Sequence, residues 1–370
     1  HDIAYEQFRL PIEPLPREAF VTNGPALKTE TEGENLIVNS SKVNFVFDKA
    51  TGLVTSYKVN GTEYFKDGFG IQPNFWRAPN DNDYGNGAPK RLQIWKQSSK
   101  NFKVADASIV MDNKVAVLTA NYLLAAGNLY IVTYKIYPSG VVKVDARFTS
   151  ADMQVAESEV SEATRTATFT PGNDAARKAA AKLNVPRIGV RFRLPAEMNV
   201  VEYFGRGPEE NYIDRNAGTL IGLYKTTADK MYYNYVRPQE NGHHTDTRWL
   251  SLSKKGGKGL TIVADSIIGF NALRNSIEDF DSEEALPHPR QWNNFSPEEI
   301  ANHDEEAARN VLRRMHHVND ITPRDFVEVC VDMKQQGVAG YNSWGARPEP
   351  GYTIPANQEY NWGFTLIPDK

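Results

Sequence analysis

The chain has 370 residues, of which 40% are hydrophobic and 24% charged, with 42 Lys and Arg set against 46 Asp and Glu. This is the balance of a globular protein long enough to bury a core unaided. A net charge of -4 gives no basic surface to draw nucleic acid or an anionic membrane. The single cysteine, Cys330, excludes an internal disulfide framework and a cysteine-based zinc site, and is compatible with either cytoplasm or periplasm. No apolar run has bilayer length, and no signal peptide is visible.

Residues 1–10 read as a short strand, with Ile3, Tyr5 and Gln7 alternating against Asp2, Ala4 and Glu6. Prolines 11, 14 and 16 follow, so residues 11–30 read as an extended linker. A lone strand before a linker fits the last strand of an upstream domain, or an ordinary N-terminal arm. The remainder, residues 31–370, is one large domain.

Strand signals then dominate. Residues 35–39, 43–47 and 54–59 are rich in β-branched and aromatic side chains, and Asn60-Gly61 closes a hairpin because both turn positions need positive φ. Further strands are expected at 115–124, 129–137, 141–148, 188–194, 259–264, 325–333 and 360–367. In 141–148, Val142, Val144, Ala146 and Phe148 face one way while Lys143, Asp145 and Arg147 face the other, the period of a half-buried antiparallel strand. Two segments break this rhythm. Residues 174–183 are alanine-rich and helix-forming, and Ser296, Pro297 and Glu299 cap a second apolar helical stripe running to Met315. Hairpin-joined strands without βαβ alternation predict an all-β fold, a large antiparallel β-sandwich with short helical insertions.

Four polar-aromatic clusters interrupt the strands. The first is residues 74–87, where Phe75 and Trp76 lead into Arg77, Ala78, Pro79, Asn80, Asp81, Asn82, Asp83, Tyr84 and Gly85. Its Asn-Asp run cannot form a core; it suits turns, hydroxyl recognition or capture by arginines. The others are residues 204–215, 237–244 and 340–345. Planar aromatics stack on pyranose faces, while carboxylates, amides and guanidinium groups bond sugar hydroxyls. If these loops gather at one face they make a carbohydrate groove, with Glu209, Asn211, Tyr212, Arg215, Glu240, Asn241 and His243 as candidates. The competing expectation is an ion network, Arg206 or Arg215 against Glu209 or Glu240, that only pins loops. Glu209, Glu210 and Glu240 are also of the right type for a glycosidase carboxylate pair. His243-His244 and His316-His317 are adjacent pairs without metal-ligand spacing, so no metal site is expected. Gly256-Gly257-Lys258-Gly259 lacks the phosphate-loop pattern and reads as a hairpin turn.

The clusters, in this order, resemble the C-terminal domain of family 2 β-galactosidases, the small-chain domain with a galactose mutarotase-like supersandwich fold. The likeness is carried by Phe75-Trp76-Arg77-Ala78-Pro79 with Asn82-Asp83, by the Gly-x-Gly-Pro-x-Glu-Asn-Tyr-x-Asp-Arg run ending at Arg215, by Pro238-Gln239-Glu240-Asn241-Gly242, and by Ser343-Trp344. The resemblance implies an enzyme that removes terminal non-reducing β-D-galactose with retention. Its catalytic glutamates, and its Mg and Na ions, would lie on an upstream TIM barrel absent from this chain. This chain would then carry no catalytic residue and no cofactor. Trp344 would pack against substrate, and Arg77, Asn80, Asp81, Asn82, Asp83 and Gly85 would border the active-site entrance. Partners would be β-galactosides and the barrel of the same polypeptide, in a homo-oligomer. Residues 1–10 resemble the last strand of the immunoglobulin-like domain that precedes the small-chain domain. A rival expectation is an autonomous aldose 1-epimerase using His243 with Glu240; another is a structural module that never meets sugar.

Overall fold

The computed structural model describes residues 6–8, 23–150, 183–281, 318–342 and 345–369. The expected helix at 296–315, the expected helix at 174–183 up to residue 182, most of the expected first strand and linker, and Trp344 itself lie outside the described residues; the last three residues of the expected linker, 28–30, are strand.

Five strands form the first sheet in chain order: β1 (Lys28–Glu32), β2 (Asn35–Asn39), β3 (Val43–Asp48), β4 (Leu53–Val59) and β5 (Thr62–Glu63). Strict alternation puts Val43, Phe45 and Phe47 of β3 in the interior and leaves Asn44 and Asp48 at its outer face. The turn between β4 and β5 is the expected Asn60-Gly61, both with positive φ (51° and 80°).

The second sheet has twelve strands. Its first, β6 (Gln72–Asn74), leads into the short helices α1 (Asp81–Gly85), α2 (Ala88–Arg91) and α3 (Gln93–Lys100). Next come β7 (Lys103–Asp112), β8 (Val115–Leu123), β9 (Leu129–Ile136), β10 (Val142–Thr149), β11 (Arg187–Pro195), β12 (Val200–Gly207) and β13 (Leu220–Thr227). Helix α4 (Ala228–Met231), β14 (His244–Ser253), β15 (Gly259–Leu273), α5 (Ile277–Phe280), β16 (Phe326–Gln335) and β17 (Tyr360–Pro368) complete the described set. The strands run β13-β12-β14-β15-β17-β10-β9-β8-β7, all antiparallel.

Strand β15 is where the sheet forks. Leu260 to Ala264 pair with β17, whereas Gly269 to Leu273 pair with β16, which carries β11 and then β6 behind it. The large sheet therefore splits into two branches on one strand. The five-stranded sheet covers the inner face of one branch: Phe45 meets Tyr134 at 5.6 Å between ring centroids, and Phe47 meets Tyr122 at 6.5 Å. Phe75 sits between Tyr130 and Phe148 (5.1 and 5.6 Å) and joins the first loop cluster to the same core. Each such fully buried aromatic contributes roughly 1.5–3 kcal/mol from area burial.

The all-β antiparallel expectation holds, and the expected strands fall on β2, β3, β4, β8, β9, β10, β11, β15, β16 and β17. Three readings need correction. Residues 204–207 belong to β12 rather than a loop, because Gly205 lets the strand lie directly over Thr247 of β14, where any Cβ would collide. His244 opens β14 rather than closing a loop. The Asn-Asp run is helical, because Asn80 and Asp83 form a reciprocal capping box: Asp83 N donates to Asn80 Oδ1 (2.9 Å) and Asn80 N to Asp83 Oδ2 (3.0 Å).

Candidate functional site

All four clusters meet. The organising contact is Arg77 with Asp83. Nη1 donates to Oδ2 at 2.6 Å and Nη2 to Oδ1 at 3.2 Å, with both side chains buried. The pair folds the first cluster back on itself, and the same arginine reaches the segment that leads into the fourth: Nη2 donates to the Gly337 carbonyl (3.4 Å) while Asn80 Nδ2 donates to the Val338 carbonyl (3.2 Å). From the second cluster, Asp214 receives the amides of Val338 (3.0 Å) and Ala339 (2.8 Å) on its two oxygens. From the third, the Arg237 guanidinium lies 3.9 Å above the Tyr84 ring and 3.5 Å from Asp81.

The segment that leads to Ser343-Trp344 is thus held from three sides. Beyond it, Gly345 (φ 80°) packs so closely on Gly85 and Asn86 that a Cβ would overlap the Gly85 carbonyl carbon. Gly340 (φ 102°) likewise lies beside Asn82, whose amide would be 3.0 Å from an added Cβ. Both flanks of the tryptophan rest on α1 and its approach. Of the entrance candidates, Arg77, Asn80 and Asp83 are buried and structural, while Asp81 and Gly85 are exposed and Asn82 is half-buried.

The groove candidates are placed differently from one another. Glu209 is exposed. Arg215 is half-exposed and pairs with Glu210 at 2.6 Å, which also accepts the Gly242 amide at 2.7 Å and the Tyr235 hydroxyl. Asn211 is buried; its Oδ1 takes the Thr245 amide (2.9 Å) and hydroxyl (2.6 Å), and its own N–H donates to the His243 carbonyl. Tyr212 is buried and stacks on His243 at 5.6 Å. Asn241 spends its side chain on the Gln239 carbonyl (2.9 Å) and the Tyr233 amide (3.3 Å). Asn211, Tyr212, Glu240, Asn241 and His243 line no open groove; they are the buried floor under the loops. The expected ion network exists with other partners. Arg206 pairs with Asp246, Arg215 with Glu210, and Glu240 with Arg187.

Arg187, at the start of β11, is the residue that the motifs did not announce. It is fully buried, and its Nη2 donates to Glu240 (2.8 Å), Asn271 (3.0 Å) and Gln335, while Nε lies 3.2 Å from Asp332. Nη1 reaches the Trp76 carbonyl at 3.4 Å, so the cluster links β11, β15 and β16 to the first and third loops. One guanidinium between two carboxylates cannot keep both at ordinary acidity in a dry site. Burial raises Asp332 to about 7, against the opposing pull of Arg187. Burial, helped by the Arg187 charge, lowers His243 to about 3, although Asn271 lies 3.0 Å from its Nδ1. At neutral pH this imidazole is uncharged and 1% exposed, and Glu240 is 6% exposed. Among the described residues no group of three His, Cys, Asp or Glu side chains is placed to hold a metal ion.

Comparison with known proteins fits this picture. The β-galactosidase of Priestia megaterium is 30% identical over 370 residues, covering 100% of this chain and 30% of the relative. That of Streptococcus thermophilus is 25% identical over 341 residues, covering 91% of this chain and 27% of the relative. The chain therefore spans under a third of the length of these relatives. Among solved structures it is similar to a galactose mutarotase related enzyme from Lactobacillus acidophilus (TM-score 0.42, 8% identity, 91% of this chain and 97% of that one). A galactose mutarotase-like protein from Lactobacillus casei gives a TM-score of 0.41 and 11% identity, over 90% of this chain and 100% of that one. The family model described as beta galactosidase small chain matches residues 39–366, and the chain belongs to that family.

Proposed function

We propose that this chain is the C-terminal, active-site-completing domain of a β-galactosidase that hydrolyses terminal non-reducing β-D-galactose with retention of configuration. In this reading the two catalytic glutamates, which a retaining enzyme holds roughly 5–5.5 Å apart, sit on an upstream TIM barrel. The contribution of this chain is Trp344, presented from a segment that its neighbours hold still. Stacking of an indole on a sugar ring contributes about 1 kcal/mol, so the chain alone binds galactosides weakly and hydrolyses nothing. In the same reading, any Mg or Na ion of the complete enzyme is held on that barrel. Homo-oligomerisation of the full-length protein is part of the same reading.

The observation that carries the proposal is the stitching of residues 337–339 by Asp214, Arg77 and Asn80, with Gly345 seated on α1. So much support for the described residues on either side of 343 and 344 is what a positioned contact residue requires. The burial of Glu240 and His243 weighs against an epimerase built on them, because the two side chains are only 6% and 1% exposed. The test is a chimera in which this chain replaces the matching part of the Priestia megaterium enzyme. Trp344→Ala should raise KM for nitrophenyl β-galactoside about fivefold or more without lowering the melting temperature. An unchanged KM rejects the assignment of Trp344.

A further inference from the structure

A large cavity lies away from the loops. A groove of about 1140 Å³ lies on the outer face of β7, β8, β9, β10 and β17, walled by β15 where the sheet forks. Strand register lays two rows of side chains across its floor. One runs Asn121, Ile131, Arg147, Asn361; the other runs Thr119, Thr133, Asp145. None of these residues belongs to the four loop clusters.

The chemistry of the floor is specific. Most of its charges are paired: Lys143 bridges Asp145 and Asp265 at 2.6 Å each, Lys135 lies 3.2 Å from Asp145, and Arg147 holds Glu359 at 2.6 Å, which leaves the Asp106 carboxylate at the β7 edge. Otherwise what is left for a ligand is hydroxyl and amide groups, together with the apolar surfaces of Ile131, Ile267 and half-buried Trp362. Asn121 is 6% exposed, yet its Oδ1 has no hydrogen-bond donor. A buried acceptor left open is destabilising unless a ligand or water fills it. Alternating apolar and hydroxyl-bonding surface with nearly all of its charges paired matches a neutral polyhydroxylated chain. Five strands at a spacing of about 4.8 Å give a floor of roughly 19 Å, room for several pyranose units.

We infer that this groove is a second, non-catalytic binding site for a neutral linear oligosaccharide, separate from the surface around Trp344. It would hold a polymeric or branched substrate by its distal sugars, which makes affinity depend on chain length.

The test is isothermal titration of the 370-residue chain with three neutral tetrasaccharides: β-1,4-linked galactotetraose, cellotetraose and maltotetraose. The expected result is saturable binding of at least one, with Kd below about 1 mM. Thr133→Arg, which fills the floor, and Asn361→Arg, at the exposed rim, should each weaken it tenfold or more. Trp344→Ala should leave it unchanged, which separates this site from the proposed active-site surface. Both groove variants change outward-facing side chains, and a melting curve confirms that they fold. Failure of all three sugars to bind, indifference to both groove variants, or loss of binding in Trp344→Ala would each overturn the inference.

Discussion

Arg77 and Asp83 face each other as a two-bonded ion pair inside the protein, 2.6 and 3.2 Å apart, and the same carboxylate oxygen that takes Nη1 also caps α1 through the Asn80 amide. One side chain thus closes the loop, starts the helix and anchors the arginine that reaches residue 337. Asp83→Ala should destabilise the chain by about 3–5 kcal/mol, because it strands a buried guanidinium. Removing both charges in Arg77→Met with Asp83→Leu should recover part of the loss. Urea midpoints of the single and double variants check this; equal losses would show that the pair is not coupled.

The buried cluster around Arg187 predicts an unusual pH response. His243 stays neutral in the folded state down to about 3, whereas an unfolded histidine takes its proton near 6.5. The unfolded state therefore binds more protons between those values, and this group makes stability rise with pH. Asp332 keeps its proton up to about 7 when folded, against about 3.9 unfolded. There the folded state binds more protons, and stability falls as pH rises. From about pH 4 to 6.5 the two slopes oppose one another, each at most about 1.4 kcal/mol per pH unit. His243→Asn should leave a stability that declines with pH over this window, and Asp332→Asn one that climbs. Denaturation midpoints at pH 4.5 and 6.5 give the signs; slopes of the same sign in both variants would contradict the account.

Asp214 holds the amides of Val338 and Ala339. Asp214→Ala should cost about 1–3 kcal/mol and, more tellingly, speed amide hydrogen exchange at residues 338 and 339 while that of Phe45 and Tyr134 changes only with global stability. Exchange that rises equally everywhere would mean the aspartate supports the fold as a whole.

Much of this architecture could be read from the chain, and the exceptions have physical causes. Strands such as β10, with Val142, Val144 and Ala146 inward and Lys143 and Asp145 outward, declare themselves because one face is buried and one is wet. Strand β13 does not, since no residue of it is fully buried and Gly222 interrupts it. The loop clusters stand out in the chain because their residue types are unusual together. Their partners do not, because Arg187 is a single charge before an ordinary strand and only tertiary packing brings it to Glu240 and Asp332. The groove left no trace either: Thr119, Thr133 and Asp145 look like any outward row until the fork at β15 walls them in.

Gly345 tests the link between fold and activity. Its φ of 80° and its contact with Gly85 leave no room for a side chain. Gly345→Ala in the Priestia megaterium chimera should push the Trp344 segment off α1, lowering kcat/KM about tenfold or more, with a stability cost of only about 1–2 kcal/mol.

The central claim is that this chain completes a sugar-cleaving site and does not itself contain one. Its most direct measurement is the rate of nitrophenyl β-galactoside hydrolysis by the purified 370-residue chain, assayed beside the chimera. The account predicts no release above buffer from the chain and enzyme-like turnover from the chimera. Sustained turnover by the chain alone would contradict it.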